Sequence, residues 1–221
     1  SKRNKPIICT YHGQDMRTRG VIKELDQISD LNLTSEFDLL SKHPSIEYLF
    51  LPYNTTHYDI NRSISDPIKV CHSPTNRYYK GSEDIIKVCN ELEREGVIQF
   101  LLIEKQTQEE VIRIKETCDI YIDQIHNRGG WGYGMSSIES LSIGLVCMTE
   151  LVDEYKNFIP DHPFIEINKS TLKKKITILS KNKEILMQKK IESKEWVKKY
   201  HDIESVCSSL YNYYEKNSWM K

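Results

Sequence analysis

No two of the six cysteines, scattered over 221 residues, stand in a C-x-x-C pair. That absence excludes the common zinc-ribbon and thioredoxin-like patterns. Most of them sit in apolar segments such as "KVCH", "KVCNEL" and "LVCMT", so they read as small buried hydrophobes in a reducing compartment. An excess of one charge is missing too: 31 basic side chains are matched by 32 acidic ones. Such a chain offers no global field for nucleic acid or an anionic membrane. No apolar run approaches the roughly 20 residues that cross a bilayer. The opening "SKRNKPIICTY" is basic but lacks the apolar core of a secretory signal, so the expected location is the cytoplasm. In that setting the N-x-S/T triplets at Asn32, Asn54, Asn61 and Asn168 are chance matches.

What is present is alternation. Short apolar runs at 7–11, 31–34, 47–51, 68–72, 98–104, 119–125, 145–149 and 164–167 read as strands. Several are almost continuously apolar and β-branched, as parallel strands buried on both faces are. Between them lie helical patterns. Ile85, Ile86, Cys89 and Leu92 share a face in 83–95, and Gly96 stops that helix. Further helices are expected at 108–117, 135–143, 171–181, 183–200 and 203–216. Strand–helix repetition from residue 68 onward predicts an α/β fold, a doubly wound Rossmann-like parallel sheet. The polar segment 55–67 reads as a linker. Residues 1–60 form a partial second domain with its linker, and 61–221 the main domain with its C-terminal helices.

Folds of this kind bind ligands at the carboxyl ends of their strands. Two loops there stand out. After the strand at 68–72 comes "HSPTNRYYKGSEDIIKVCNEL", longer than a plain turn needs. Arg77 and Lys80 flank a turn and Gly81 follows just before a helix start, where free N–H groups and the helix dipole favour an anion. The plainer reading is a capped helix with two solvent-facing cations. After the strand at 119–125 comes "HNRGGWGYGMSSIES", in which Gly129, Gly130, Gly132 and Gly134 precede a helix opening near Met135. Such glycine density lets backbone amides approach a ligand. Glu139, one turn into that helix, could reach ribose hydroxyls; the plainer reading is an exposed glutamate behind a surface loop. His72 reads as structural, and the lysine runs at 173–175, 189–190 and 198–199 as solvated helix faces, with peripheral membrane contact the alternative.

The pieces "PTNRYYKGSEDIIKVCNEL", "CDIYIDQI" and "GWGYGMSSIESLSIGLVCMTE" together resemble the C-terminal, donor-binding domain of GT-B glycosyltransferases, in particular the retaining family-4 ("group 1") type. The resemblance covers roughly residues 66 to 215. "IICTYHGQDMR" is similar to a T-x-H strand end late in the N-terminal domain of such enzymes. By that resemblance His12 would face the transferred sugar, and Arg77 and Lys80 would hold the donor diphosphate and stabilise the leaving phosphate. Gly81, Gly132, Gly134, Met135 and Ser136 would line the donor, with backbone amides from the last three. Glu139 would hold the ribose, and the loop at 104–108, beginning with Glu104, would border the base.

The resemblance implies transfer of a sugar from a nucleotide-diphosphate sugar to a saccharide or lipid-linked acceptor. It implies no cofactor and no metal, which the lack of an Asp-x-Asp motif suits. Two departures stand out. Trp131 occupies the position of the family's second glutamate, so the acidic contact to the donor sugar is missing or supplied elsewhere. Only one complete Rossmann-like domain is present, so the expectation is a truncated form, a half that works with a missing N-terminal half, or self-association. The alternatives are a non-catalytic nucleotide-sugar-binding or scaffold module and a sugar-nucleotide epimerase of the same fold.

Overall fold

The computed structural model describes residues 5–56, 63–128 and 132–220. The chain divides into two compact units, one running to Pro52 and resuming from Tyr200, the other spanning Tyr53–Lys199.

The first unit holds three parallel strands in the order β1 (Ile8–Tyr11), β2 (Leu31–Thr34) and β3 (Ile46–Tyr48). Ile8 lies opposite Leu31, and Asn32 opposite Ile46. Two helices, α1 (Gly13–Arg19) and α2 (Lys23–Asp26), connect β1 to β2, and a 3-10 turn at Phe37–Ser41 connects β2 to β3. Tyr11, Met16, Leu39 and Ile46 form the small core. Arg17 reaches across it as a fork, with Nε 2.6 Å from Asp38 Oδ2 and Nη2 2.8 Å from Glu36 Oε2. Neither α1 nor α2 carries the apolar repeat that would announce it. α1 buries one apolar side chain, Met16, and is fastened by that fork instead. The final helix, Ile203–Lys216, also belongs to this unit, although the sequence alone groups it with the larger domain. Tyr213 Oη donates to the Tyr48 carbonyl at 2.9 Å, and His201 Nδ1 lies 2.7 Å from the Leu51 carbonyl.

The second unit is a five-stranded, all-parallel sheet in the order β5-β4-β6-β7-β8, from β4 (Ile68–His72), β5 (Ile98–Leu102), β6 (Ile120–Ile122), β7 (Val146–Thr149) and β8 (Ile165–Glu166). Its helices are α3 (Arg77–Lys80), α4 (Ser82–Arg94), α5 (Gln108–Lys115), α6 (Met135–Ile143), α7 (Asp153–Phe158), α8 (Leu172–Ser180) and all but the last two residues of α9 (Lys183–His201). α5 begins with a capping box between Thr107 and Glu110, and Gly144, at φ +87°, closes α6.

Strand side chains alternate between two covered faces. Val70, Ile120, Ile122, Val146 and Met148 join Ile85, Cys89 and Leu92 of α4 and Leu172, Ile176 and Leu179 of α8 in one buried cluster. On the opposite face Tyr121 lies beneath Lys115 of α5, and Cys147 meets Ser137 of α6. Helices on both faces of a parallel sheet make the unit doubly wound and Rossmann-like. Among the described residues no helix is long and apolar enough to cross a membrane.

Candidate functional site

From β4 the chain moves to β5 at the sheet edge, then returns to the other side of β4 as β6. The connections leaving β4 and β6 diverge at their carboxyl ends and open a crevice there. β4 ends at His72 and is followed by Ser73, and β6 is followed by Asp123 and Gln124. The α3–α4 corner and the start of α6 supply the remaining groups.

His72 is fully buried and holds this rim together. Its Nδ1 lies 2.7 Å from the Ile122 carbonyl and its Nε2 2.7 Å from Ser82 Oγ. Burial pushes its pKa down to about 4, so the neutral ring donates to Ile122 and accepts from Ser82. It is therefore a structural staple between two strands and α4.

Lys80 points inward. Its Nζ lies 2.5 Å from Oδ1 of Asp123, whose side chain is completely buried. Asp123 also accepts from Ser137 Oγ at 2.7 Å. Burial opposes ionisation of this carboxyl, but Lys80 and Ser137 outweigh it and hold its pKa below the ordinary value. Lys80 keeps a fifth of its side chain exposed at the crevice.

Arg77 lies on α3, whose first amides are taken by the Asn76 side chain. Its guanidinium grips Glu104 with two bonds of 2.7 Å and touches Glu83 at 3.2 Å. Glu104, expected beside a base, is thus the partner of Arg77, which holds its carboxyl below the usual range. Gly81 is required by geometry. Its φ is +65°, and a Cβ there would come within 2.6 Å of the Ile125 carbonyl oxygen.

The two described glycines of the second loop differ in role. A Cβ on Gly132 would strike the Tyr155 ring at 2.3 Å, and its carbonyl accepts from both Gln124 and Thr149 at 2.9 Å. Gly134, the N-cap of α6, has open space where a Cβ would stand. Gly129, Gly130 and Trp131 lie outside the described residues. Met135 is exposed at the helix start.

Glu139 is not the exposed glutamate of the plainer reading. It is buried, with Oε1 2.5 Å from Gln108 Nε2 and Oε2 3.2 Å from Lys115 Nζ. Lys115 is wholly buried, and its Nζ also reaches Ser136 Oγ at 2.7 Å and the Ser136 carbonyl at 3.1 Å. Sequence reasoning missed Lys115, Asp123 and Ser73. A carboxylate directly after an apolar central strand was the available signal for Asp123.

The crevice thus gathers Lys80, Gly134, Met135 and Ser136, with Glu139 behind them. Arg77 and Glu104 form a pair at its rim. A cleft of about 300 Å³ adjoins that rim, lined by Arg77, Tyr78, Glu83, Asp84, His126 and Arg128. Within it His126 Nε2 lies 2.7 Å from Asp84 Oδ2. His12 lies in the first unit, exposed, at the N-cap of α1. Among the described residues no group of three His, Cys, Asp or Glu side chains could hold a metal ion.

No protein-family model matches the chain, and no curated protein matches it in sequence. Solved structures do match. HepE of Anabaena in complex with UDP and glucose aligns with a TM-score of 0.67 at 8% identity, over 96% of this chain and 72% of that one. The chain has the GT-B fold. A second GT-B structure, an alpha-glucosyltransferase in complex with UDP-glucose and DNA containing an abasic site, aligns at 0.63 with 8% identity, over 94% and 71%. TarM of S. aureus, in complex with Fondaparinux, alpha-GlcNAc-glycerol and UDP, aligns at 0.67 with 13% identity, over 95% of this chain and about half (51%) of its own length. These GT-B structures share a bound uridine nucleotide, whereas the other molecules they hold range from sugars to DNA.

Proposed function

We propose that this protein is a glycosyltransferase that takes a sugar from a nucleotide-diphosphate sugar held at the crevice of the second unit. The observation that carries the reading is the convergence of Lys80, Ser73 and Ser136 on the switch point between β4 and β6. The likeness of the whole fold to structures that hold UDP or UDP-glucose supports it.

The chemistry follows from the groups present. The bond between the anomeric carbon and the diphosphate oxygen breaks, and its electron pair stays on that oxygen. The acceptor hydroxyl forms the new bond to the same carbon, and its proton passes to the departing phosphate. Charge therefore builds on the diphosphate, where Lys80 and the first amides of α6 offset it. Proton transfer to the leaving phosphate requires no separate protein base, which suits a retaining, metal-independent reaction. Glu139, braced by Gln108 and Lys115, faces the ribose in this reading. The acceptor is a saccharide or a lipid-linked sugar, met in the cytoplasm or at a membrane surface.

A second reading, a nucleotide-sugar-binding module without turnover, has one specific observation in its favour. The Arg77 guanidinium already binds two carboxylates, Glu104 and Glu83. Calorimetric titration of UDP- and GDP-sugars separates these readings from neither. We expect one nucleotide series to bind, and the double variant Lys80→Met/Asp123→Asn to lose about tenfold in affinity. Absence of binding at millimolar concentration overturns the donor site. Binding without release of nucleoside diphosphate, across saccharide and lipid-linked acceptors, favours the module.

A further inference from the structure

Ser136 opens α6 at the crevice, and its hydroxyl is surrounded in an unusual way. Lys115 Nζ donates to Ser136 Oγ at 2.7 Å. Tyr121 Oη donates to the same oxygen at 2.8 Å. A serine hydroxyl has two lone pairs and one proton. Both lone pairs are thereby filled, and only the proton is left to give.

Neither donor has a better use for its proton. The Lys115 ammonium has three N–H groups and three acceptors, Ser136 Oγ, the Ser136 carbonyl and Glu139 Oε2. Tyr121 has two alternatives, the Ser73 hydroxyl beside it and Asp123 Oδ1, but the second lies at 3.3 Å and is already held by Lys80. Burial of Tyr121 raises its pKa well above the ordinary phenol value, so the ring keeps its proton. Lys115, Tyr121 and Asp123 are fully buried, so water does not compete for these bonds.

Among the described residues the Ser136 proton faces Ser73 Oγ, at 3.4 Å across the crevice. That is too long for a good bond between hydroxyls. An acceptor atom seated between the two could take a bond of ordinary length from each. The two serines come from different elements, the loop leaving β4 and the start of α6, and both are partly exposed.

We propose that Lys115 and Tyr121 make the Ser136 hydroxyl a dedicated hydrogen-bond donor, and that Ser136 and Ser73 clasp one oxygen of the donor diphosphate. This rests on the donor-site reading above. It adds a specificity rule. The clasp accepts an oxyanion, which only accepts, and discriminates against a group that must itself donate at that point. Lys115 and Tyr121 act through Ser136 and are positioning residues.

The test is calorimetry with UDP and GDP as probes, and uridine and guanosine as phosphate-free controls. The proteins are wild type, Ser136→Ala, Tyr121→Phe and the double variant, each checked for an unchanged thermal midpoint. Ser136→Ala should weaken the diphosphate that binds by about tenfold while leaving the matching nucleoside within about twofold. Tyr121→Phe should weaken the diphosphate by a smaller factor in the wild-type background and have no further effect once Ser136 is alanine. A merely structural Tyr121 would act equally in both backgrounds, which overturns the positioning role. Diphosphate binding unchanged by Ser136→Ala overturns the clasp and leaves the donor site standing. Failure of both diphosphates to bind the wild type overturns the donor site and the clasp together.

Discussion

Lys80→Met is the most informative single change in this protein, because among the described residues Lys80 is the cation paired with Asp123. The Asp123 side chain has no exposed surface and among the described residues would keep Ser137 at 2.7 Å and Tyr121 at 3.3 Å. Breaking a buried ion pair from one side costs about 3–5 kcal/mol, since the remaining charge is stranded away from water. The loss should read out at pH 7 as a lower urea midpoint with an unchanged slope. Its pH dependence is the sharper signature. In the wild type the Asp123 pKa is held below its unfolded value, so its contribution is constant above about pH 4 and is lost as pH falls further. Without Lys80, burial raises the folded-state pKa above the unfolded value. The variant then takes up a proton as pH falls towards that raised pKa and regains stability. The gap between the two proteins should therefore shrink from pH 7 to pH 5. Adding Asp123→Asn should recover most of the loss at pH 7. A cost under about 1 kcal/mol at pH 7, or a gap that stays flat to pH 5, would refute the pairing as described.

Other outcomes follow from the same geometry. His72 and His201 are both buried with pKa lowered to about 4, so the unfolded chain binds more protons below about pH 6.5. Each should remove about 2 kcal/mol of stability between pH 7 and pH 5, visible as proton uptake on unfolding. Gly81→Ala should cost about 2 kcal/mol or more, whereas Gly134→Ala should stay within about 0.5 kcal/mol, compared by thermal unfolding. If Arg77 contacts the diphosphate, Glu104→Gln should release its fork and tighten nucleotide binding several-fold by calorimetry; unchanged binding would leave Arg77 as a rim pair. Of the six cysteines only Cys207 is exposed, so one thiol should react rapidly with a thiol reagent in the native protein.

The larger sheet was legible because its strands are short apolar runs bounded by helical repeats. Each of the five expected strands from residue 68 onward appears, and α6 spans the very residues its Met135, Ile138 and Leu141 spacing predicts. What escaped is what periodicity does not encode. α3 is four residues with none buried and exists because Asn76 caps it; α7 buries only Tyr155. The run 119–125 reads as one strand, but the strand spans only Ile120–Ile122, and the Asp123 side chain beyond it meets Lys80 and Ser137. By position Lys115 is one more charge in the last turn of a helix. Its burial depends on Tyr121, Ser136 and Glu139, which arrive from two other elements.

The first unit is assembled from two stretches of chain separated by the whole of the second. On the ribosome, residues 53–199 emerge as one continuous block, so the larger sheet can close while still tethered. The smaller sheet has no such advantage. The Tyr48 and Leu51 carbonyls, made early, wait for Tyr213 and His201, made some 150 residues later. At the 5–20 residues per second typical of synthesis, that delay is about 7–30 seconds. During it the Tyr48 and Leu51 carbonyls lack these two donors. Order of synthesis therefore makes the first unit the later of the two to finish.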